Sequence, residues 1–164
     1  MTKDGSFTPS RHSSQLRFAA VLLLCLSAPI LSTVTPANAA PSVLRVHNDP
    51  GGSLPARLQD LQRLRLSGQR VEIRRGYCNS ACTLYLGLPD TCITGHARFG
   101  FHGPQLATRG LKMLPTDFER WSRTMADHYP PALRRWFLST ARHSTTLITL
   151  SGEQLINMGV TRCS

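Results

Sequence analysis

Between Val43 and Ile73 the spacing of apolar residues changes twice, and this limits the fold more than any other feature of the 164-residue chain. Val43 to Val46 (VLRV) has the character of a short strand and runs into the turn Asn48-Asp49-Pro50-Gly51-Gly52. Leu54, Leu58, Leu61 and Leu64 then recur at spacings of four and three among arginines and glutamines, which predicts an amphipathic helix stopped at Ser67-Gly68. Val71-Glu72-Ile73 returns to strand character. Strand, helix and strand in that order belong to an α/β fold.

The same alternation continues toward the C-terminus. A turn over Gly76, Tyr77, Cys78 and Asn79 leads into Ser80 to Leu86, a small-then-apolar segment predicted as a buried helix ending near Gly87. Cys92-Ile93 and Arg98 to His102 follow as strand-like pieces bounded by Gly95 and by Gly103-Pro104, and residues 105–115 read as loop. Asp117 to His128 is a second amphipathic helix with Phe118, Trp121 and Met125 on one face. After Pro130-Pro131 a third helix spans Ala132 to Arg142 and carries Leu133, Trp136 and Phe137; both tryptophans are expected in the core. A short segment, Leu147 to Leu150, precedes a final helix opened by Ser151-Gly152-Glu153 and closed by Gly159. The predicted architecture is a single small α/β domain with a mostly parallel sheet flanked by helices.

The N-terminus sets compartment and length. Lys3, Arg11 and Arg17 precede the apolar run Phe18 to Leu26, and Ala37-Asn38-Ala39 offers a small-x-small cleavage pattern, so residues 1–39 are expected to be a signal peptide removed on export. The competing reading is an uncleaved anchor, but the run is shorter than the roughly 20 residues that cross a bilayer. The mature chain, residues 40–164, is then one domain in a periplasmic or extracellular setting. Of 19 basic and 9 acidic residues the leader takes three and one, leaving sixteen against eight, nearly all of the bases being arginine. That balance predicts weak attraction to anionic surfaces. Nucleic acid is not an expected partner, because the arginines are scattered without interleaved aromatics and the chain is read as exported.

Cys25 leaves with the leader, and the remaining Cys78, Cys82, Cys92 and Cys163 form an even set in an oxidising compartment, where disulfides are the expectation. Three pairings are open. Zinc is the rival reading for Cys78-x3-Cys82, but Cys92 and Cys163 stand alone rather than as a second close pair, so no metal and no cofactor are expected.

Three segments carry chemistry together: Asp49-Pro50-Gly51-Gly52, Cys78-Asn79-Ser80-Ala81-Cys82 and Gly100-Phe101-His102-Gly103-Pro104. A serine hydroxyl becomes a nucleophile when an imidazole takes its proton, and a histidine at a strand end can reach a serine at a helix start. Ser80 is therefore the candidate nucleophile and His102 the candidate base. An oxyanion needs two aimed backbone N–H groups; Gly52 and Ala81 are the candidates, with Gly51 supporting the loop. In order and spacing these segments resemble the Clp-protease/crotonase superfamily, and its Clp-type serine peptidases in particular. Ser80 and His102 are 22 residues apart, close to the interval of that family, and Leu150-Ser151-x-Glu153 through Met158-Gly159-Val160 is similar to its closing helix. The resemblance runs from Val46 to Val160 and implies a minimal domain of that fold, acyl-transfer chemistry and a peptide or protein substrate.

The chain departs from the family pattern in three places. The position of the triad aspartate falls on Leu147, and no carboxylate lies between Asp127 and Glu153, which leaves a backbone carbonyl, Thr145 or Thr146 to hold the imidazole. Few residues precede Pro50-Gly51-Gly52, so the sheet is reduced. Cysteines flank Ser80. A serine–lysine branch of the same fold draws attention to Lys112, the one lysine after residue 39, but it sits in a loop and near Ser80 in sequence. Two functions follow from these features: an exported serine hydrolase, read as a peptidase, or an inactive relative that binds a peptide or carboxylate in the glycine-lined pocket.

Overall fold

Ser53 opens the first helix because its Oγ accepts the Ala56 N–H at 3.5 Å, and Pro55 sits in the first turn where it lacks no bond. Helix α1 (Leu54–Ser67) ends where Gly68 takes φ 61° and returns its N–H to the last turn. Leu61 and Leu64 are buried, with Leu54 and Leu58 packed at the edge of the core, so the apolar stripe predicted from the sequence is the face that docks. The computed structural model describes residues 42–108 and 110–164; the expected leader lies outside them.

The described residues form an α/β domain in which two three-stranded sheets take the place of the single sheet expected. In the first, β1 (Val43–Arg45), β2 (Arg70–Ile73) and β4 (Thr91–Ile93) run parallel in the order β1-β2-β4. The second holds β3 (Tyr77–Asn79), β5 (Arg98–Phe101) and β6 (Ile148–Ser151), with β3-β5 parallel and β5-β6 antiparallel. Three of the four ladders are parallel, as predicted. The turn expected at Gly76–Asn79 is in part β3, because a bridge from Asp49 to Cys78 and pairing with β5 supply its backbone partners. The segment expected to be a buried helix is a 3-10 helix, Ser80–Gly87, packed against α1, β3, β4 and β5.

Three further helices complete the chain: α2 (Pro115–Ala126), α3 (Pro131–Ser139) and α4 (Gly152–Asn157). The third helix is shorter than expected, and a separate 3-10 turn covers Ala141–His143. A capping box between Ser151 and Gln154 starts α4. Val71, Ile73, Leu84, Ile93, Phe99, Leu133 and Phe137 are wholly buried. Edge-to-face contacts of Phe101 with Tyr129 at 5.7 Å and with Trp136 at 5.4 Å join β5 to α3 and to the turn before it. Each such pair contributes about 0.5–1.5 kcal/mol beyond the area it buries. Disulfides join Cys78 to Cys82 and Cys92 to Cys163, which decides among the three pairings and overturns zinc ligation by these thiols.

On β2, the buried Glu72 collects Arg74 at 2.8 Å, Arg70 at 3.5 Å and Arg45 at 3.9 Å. The hydrogen bond from Arg74 holds its carboxyl below the usual range; burial opposes this, and the charges of Arg74, Arg70 and Arg45 add to it. With the folded value below the unfolded one, this contribution is present above the unfolded value of about 4.3 and is lost as pH falls through the folded value. Glu72→Gln should therefore be less stable than the wild type near neutrality, and the gap should narrow as pH falls through and below the ordinary carboxylate range. Urea midpoints across that range check this, and a gap that stays constant rules it out.

Candidate active site

Ser80 stands at the junction of β3 and the 3-10 helix with φ 53°, a conformation shared among the described non-glycine residues only with Asn48. A residue with a Cβ enters this region at a cost of order 1–3 kcal/mol, so the neighbours must hold it there. They do so from both sides. The Cys78–Cys82 disulfide brackets the turn, and Thr83 Oγ1 donates to the Ser80 carbonyl at 2.7 Å while also meeting the Tyr129 hydroxyl at 2.7 Å. Burial pushes the Tyr129 phenol well above its ordinary value, so it stays neutral in this pair. Ser80 Oγ itself caps nothing: the residue preceding the helix is Asn79, and no hydrogen bond to Ser80 Oγ is found among the described residues.

The glycine loop lies against this turn. Gly51 takes φ 106° and Gly52 φ 115°, both outside the range of ordinary side chains. A Cβ on Gly51 would stand 2.6 Å from Ser80 Cβ and 2.7 Å from the Asn79 carbonyl oxygen, so only glycine allows the two turns to touch. A Cβ on Gly52 would meet nothing within 4 Å. The loop is tied to β3 by Asp49, whose N–H donates to the Tyr77 carbonyl and whose carbonyl accepts from Asn79 N–H, each at 2.9 Å. Its side chain accepts the Gly51 N–H at 2.8 Å and pairs with Arg57 at 2.6 Å. Gly52 N–H makes no hydrogen bond among the described residues, and Ala81, in the first turn of the 3-10 helix, lies where N–H groups have no partner within the helix.

His102 follows β5 and is half-buried, with Nδ1 2.6 Å from the Gly103 carbonyl oxygen. A carbonyl only accepts, so Nδ1 carries a hydrogen, and in the neutral ring the free lone pair is then on Nε2. Of the three partners considered for the imidazole, the backbone carbonyl is the one in contact; Thr146 instead bonds with Ser144. Gly103 N–H donates to the Ser144 carbonyl at 3.0 Å and Gln105 to the Thr145 carbonyl at 2.7 Å, which fixes the segment bearing His102 to the chain before β6. Leu147 lies there, one residue beyond the Phe101–Ile148 pair and exposed, so the place opposite His102 carries no charge.

Gly52, Ser80, Ala81 and His102 line one cleft of about 570 Å³. No family model matches the chain, and no curated protein matches it. Among solved structures it is similar to a mutant of the 1510-N membrane-bound stomatin-specific protease, with 18% identity and a TM-score of 0.49 over 73% of this chain. This chain covers 62% of that protein, less than two thirds of its length.

Leu54, Met113, Trp121 and Met125 add apolar lining to the same cleft. Trp121 thus corrects its expected place in the core: its helix face looks into the cleft, while Trp136 packs against the core. The i, i+4 spacing of Trp121 and Met125 was visible in the sequence, but a face turned to a cleft and a face turned to a core have the same period. Lys112 is exposed and is not part of the lining. Asp49 was named only as part of the glycine turn, and Arg57 escaped the sequence reading. One signal was present, since Arg57 falls one helical turn after Ser53 and so faces back toward the glycine loop.

Proposed function

We propose that the chain is an exported serine hydrolase, a peptidase working by acyl transfer. The observation that carries the reading is the convergence of Ser80, held at φ 53°, with His102, Gly52 and Ala81 on one cleft. Ser80 Oγ attacks the substrate carbonyl as His102 Nε2 takes its proton, and the tetrahedral oxyanion is received by the N–H groups of Gly52 and Ala81. His102 returns the proton to the leaving amine, and water then releases the acyl group by the same steps in reverse. The Gly103 carbonyl keeps the imidazole in the required tautomer, though as a neutral acceptor it stabilises the imidazolium less than a carboxylate would. Leu54, Met113, Trp121 and Met125 suit an apolar side chain beside the cleaved bond. The two disulfides fit an oxidising compartment, as export through residues 1–39 would provide.

A fluorophosphonate probe, which needs an activated hydroxyl and an oxyanion pocket but no natural substrate, should label Ser80. Labelling should vanish in Ser80→Ala and slow by about 10²-fold or more in His102→Ala. The uncharged place opposite His102 at Leu147 favours the second reading, an inactive relative that binds a peptide end in the same cleft. Folded wild-type protein that stays unlabelled beside a reacting control hydrolase would establish that reading instead.

A further inference from the structure

We infer that Arg57 is a positioning residue that locks the Gly51–Gly52 peptide with its N–H toward the cleft, an inference that rests on the hydrolase reading for its catalytic meaning. Arg57 projects from α1 and only 11% of its side chain is exposed. Its guanidinium lies over the Tyr85 ring at 4.5 Å and bonds the Tyr85 hydroxyl, while Nη2 reaches Asp49 Oδ2 at 2.6 Å and the Gly51 carbonyl at 3.3 Å. Asp60, one turn along the same helix, stands 3.9 Å away. Asp49 in turn accepts the Gly51 N–H at 2.8 Å. Both polar groups of Gly51 are therefore held, one by Asp49 and one by Arg57, and those two side chains hold each other.

The geometry of the peptide plane carries this to Gly52. In a trans peptide the C=O of one residue and the N–H of the next point in opposite directions. With the Gly51 oxygen drawn to Arg57 on the α1 side, the Gly52 N–H faces away from it, and Gly52 is a residue of the cleft wall. A peptide between two glycines rotates at little cost, because neither residue has a Cβ to limit ψ or φ. Released from Arg57, the plane could turn over and present the Gly51 carbonyl oxygen where the oxyanion forms, which replaces a donor by a repelling acceptor. Arg57 supplies several directed donors from one rigid plane to Asp49, Tyr85 and Gly51 together, which a lysine ammonium on a flexible stem does not reproduce.

The test uses the exported protein, with Arg57→Met, Arg57→Lys and Asp49→Asn. In 15N-labelled wild type the Gly52 amide should give one sharp resonance without relaxation dispersion; in Arg57→Met it should shift and broaden as the plane exchanges. Fluorophosphonate labelling of Ser80 should slow by about 10²–10³-fold, the effect of losing one oxyanion donor, and by less in Arg57→Lys. A 13C-carbonyl acyl group on Ser80 should show its stretch at higher frequency in Arg57→Met, reporting a weaker hydrogen bond to the carbonyl oxygen. An unchanged Gly52 amide in folded Arg57→Met overturns the inference, and Asp49→Asn gives the same reading if Arg57→Met does not fold. Unlabelled wild type together with a disturbed Gly52 amide in the variants sinks the hydrolase reading alone and leaves the lock standing.

Discussion

Gly51→Ala should unfold at markedly lower denaturant than wild type and should abolish labelling of Ser80. The added Cβ would need a place 2.6 Å from Ser80 Cβ and 2.7 Å from the Asn79 oxygen, neither of them the end of a flexible side chain, at a residue with φ 106°. Backbone strain of about 1–3 kcal/mol and overpacking of about 1–3 kcal/mol both apply, so a loss of roughly 2–6 kcal/mol is expected. Relief requires the glycine loop and the serine turn to separate, and this moves Gly52 N–H away from Ser80. Gly52→Ala is the control. Its φ of 115° brings similar strain, but the new Cβ meets nothing within 4 Å, so it should cost less than Gly51→Ala. Urea titrations of the three proteins measure this, and equal losses for the two variants would show that the contact with Ser80 has no part in the effect.

The second large effect should come from the Cys92–Cys163 disulfide. Its partners are 71 residues apart, and a closure of that length lowers the entropy of the unfolded chain by an amount worth about 4 kcal/mol, a large share of the roughly 5–15 kcal/mol that keeps a domain folded. It fastens the C-terminal segment to β4, where Ile93 N–H meets the Thr161 carbonyl at 2.9 Å and Cys163 N–H meets the Ile93 carbonyl at 2.8 Å. Replacing both cysteines by serine should lower stability by about that amount while leaving Ser80 labelled at temperatures where the variant is folded. Removing Cys78–Cys82, whose partners are only 4 residues apart, should cost about half as much by closure entropy yet affect labelling more, because that disulfide brackets Ser80. Denaturation in the oxidised state, with thiol titration before and after reduction, separates the two. A loss below about 1 kcal/mol on removing the longer disulfide would contradict the closure-entropy account.

What the sequence determined by itself was local. The leucine stripe of α1, its stop at Gly68, and the small-residue turns before Ser80 and after His102 follow from side-chain spacing and from glycine and proline chemistry, which act over a few residues. The α/β class followed from the order of those pieces. The tertiary structure decided everything that depends on segments far apart in the chain. The strand at Tyr77–Asn79 has too few residues to announce itself and exists because Asp49 and β5 pair with it. The 3-10 form of Ser80–Gly87, the cysteine pairing, and the turn of Trp121 to the cleft rather than the core were equally out of reach. So was Arg57, a surface-type residue by its sequence neighbours, which Asp49, Gly51 and Tyr85 together draw into the site. Periodicity tells which residues share a face; only packing against the rest of the chain tells what that face meets.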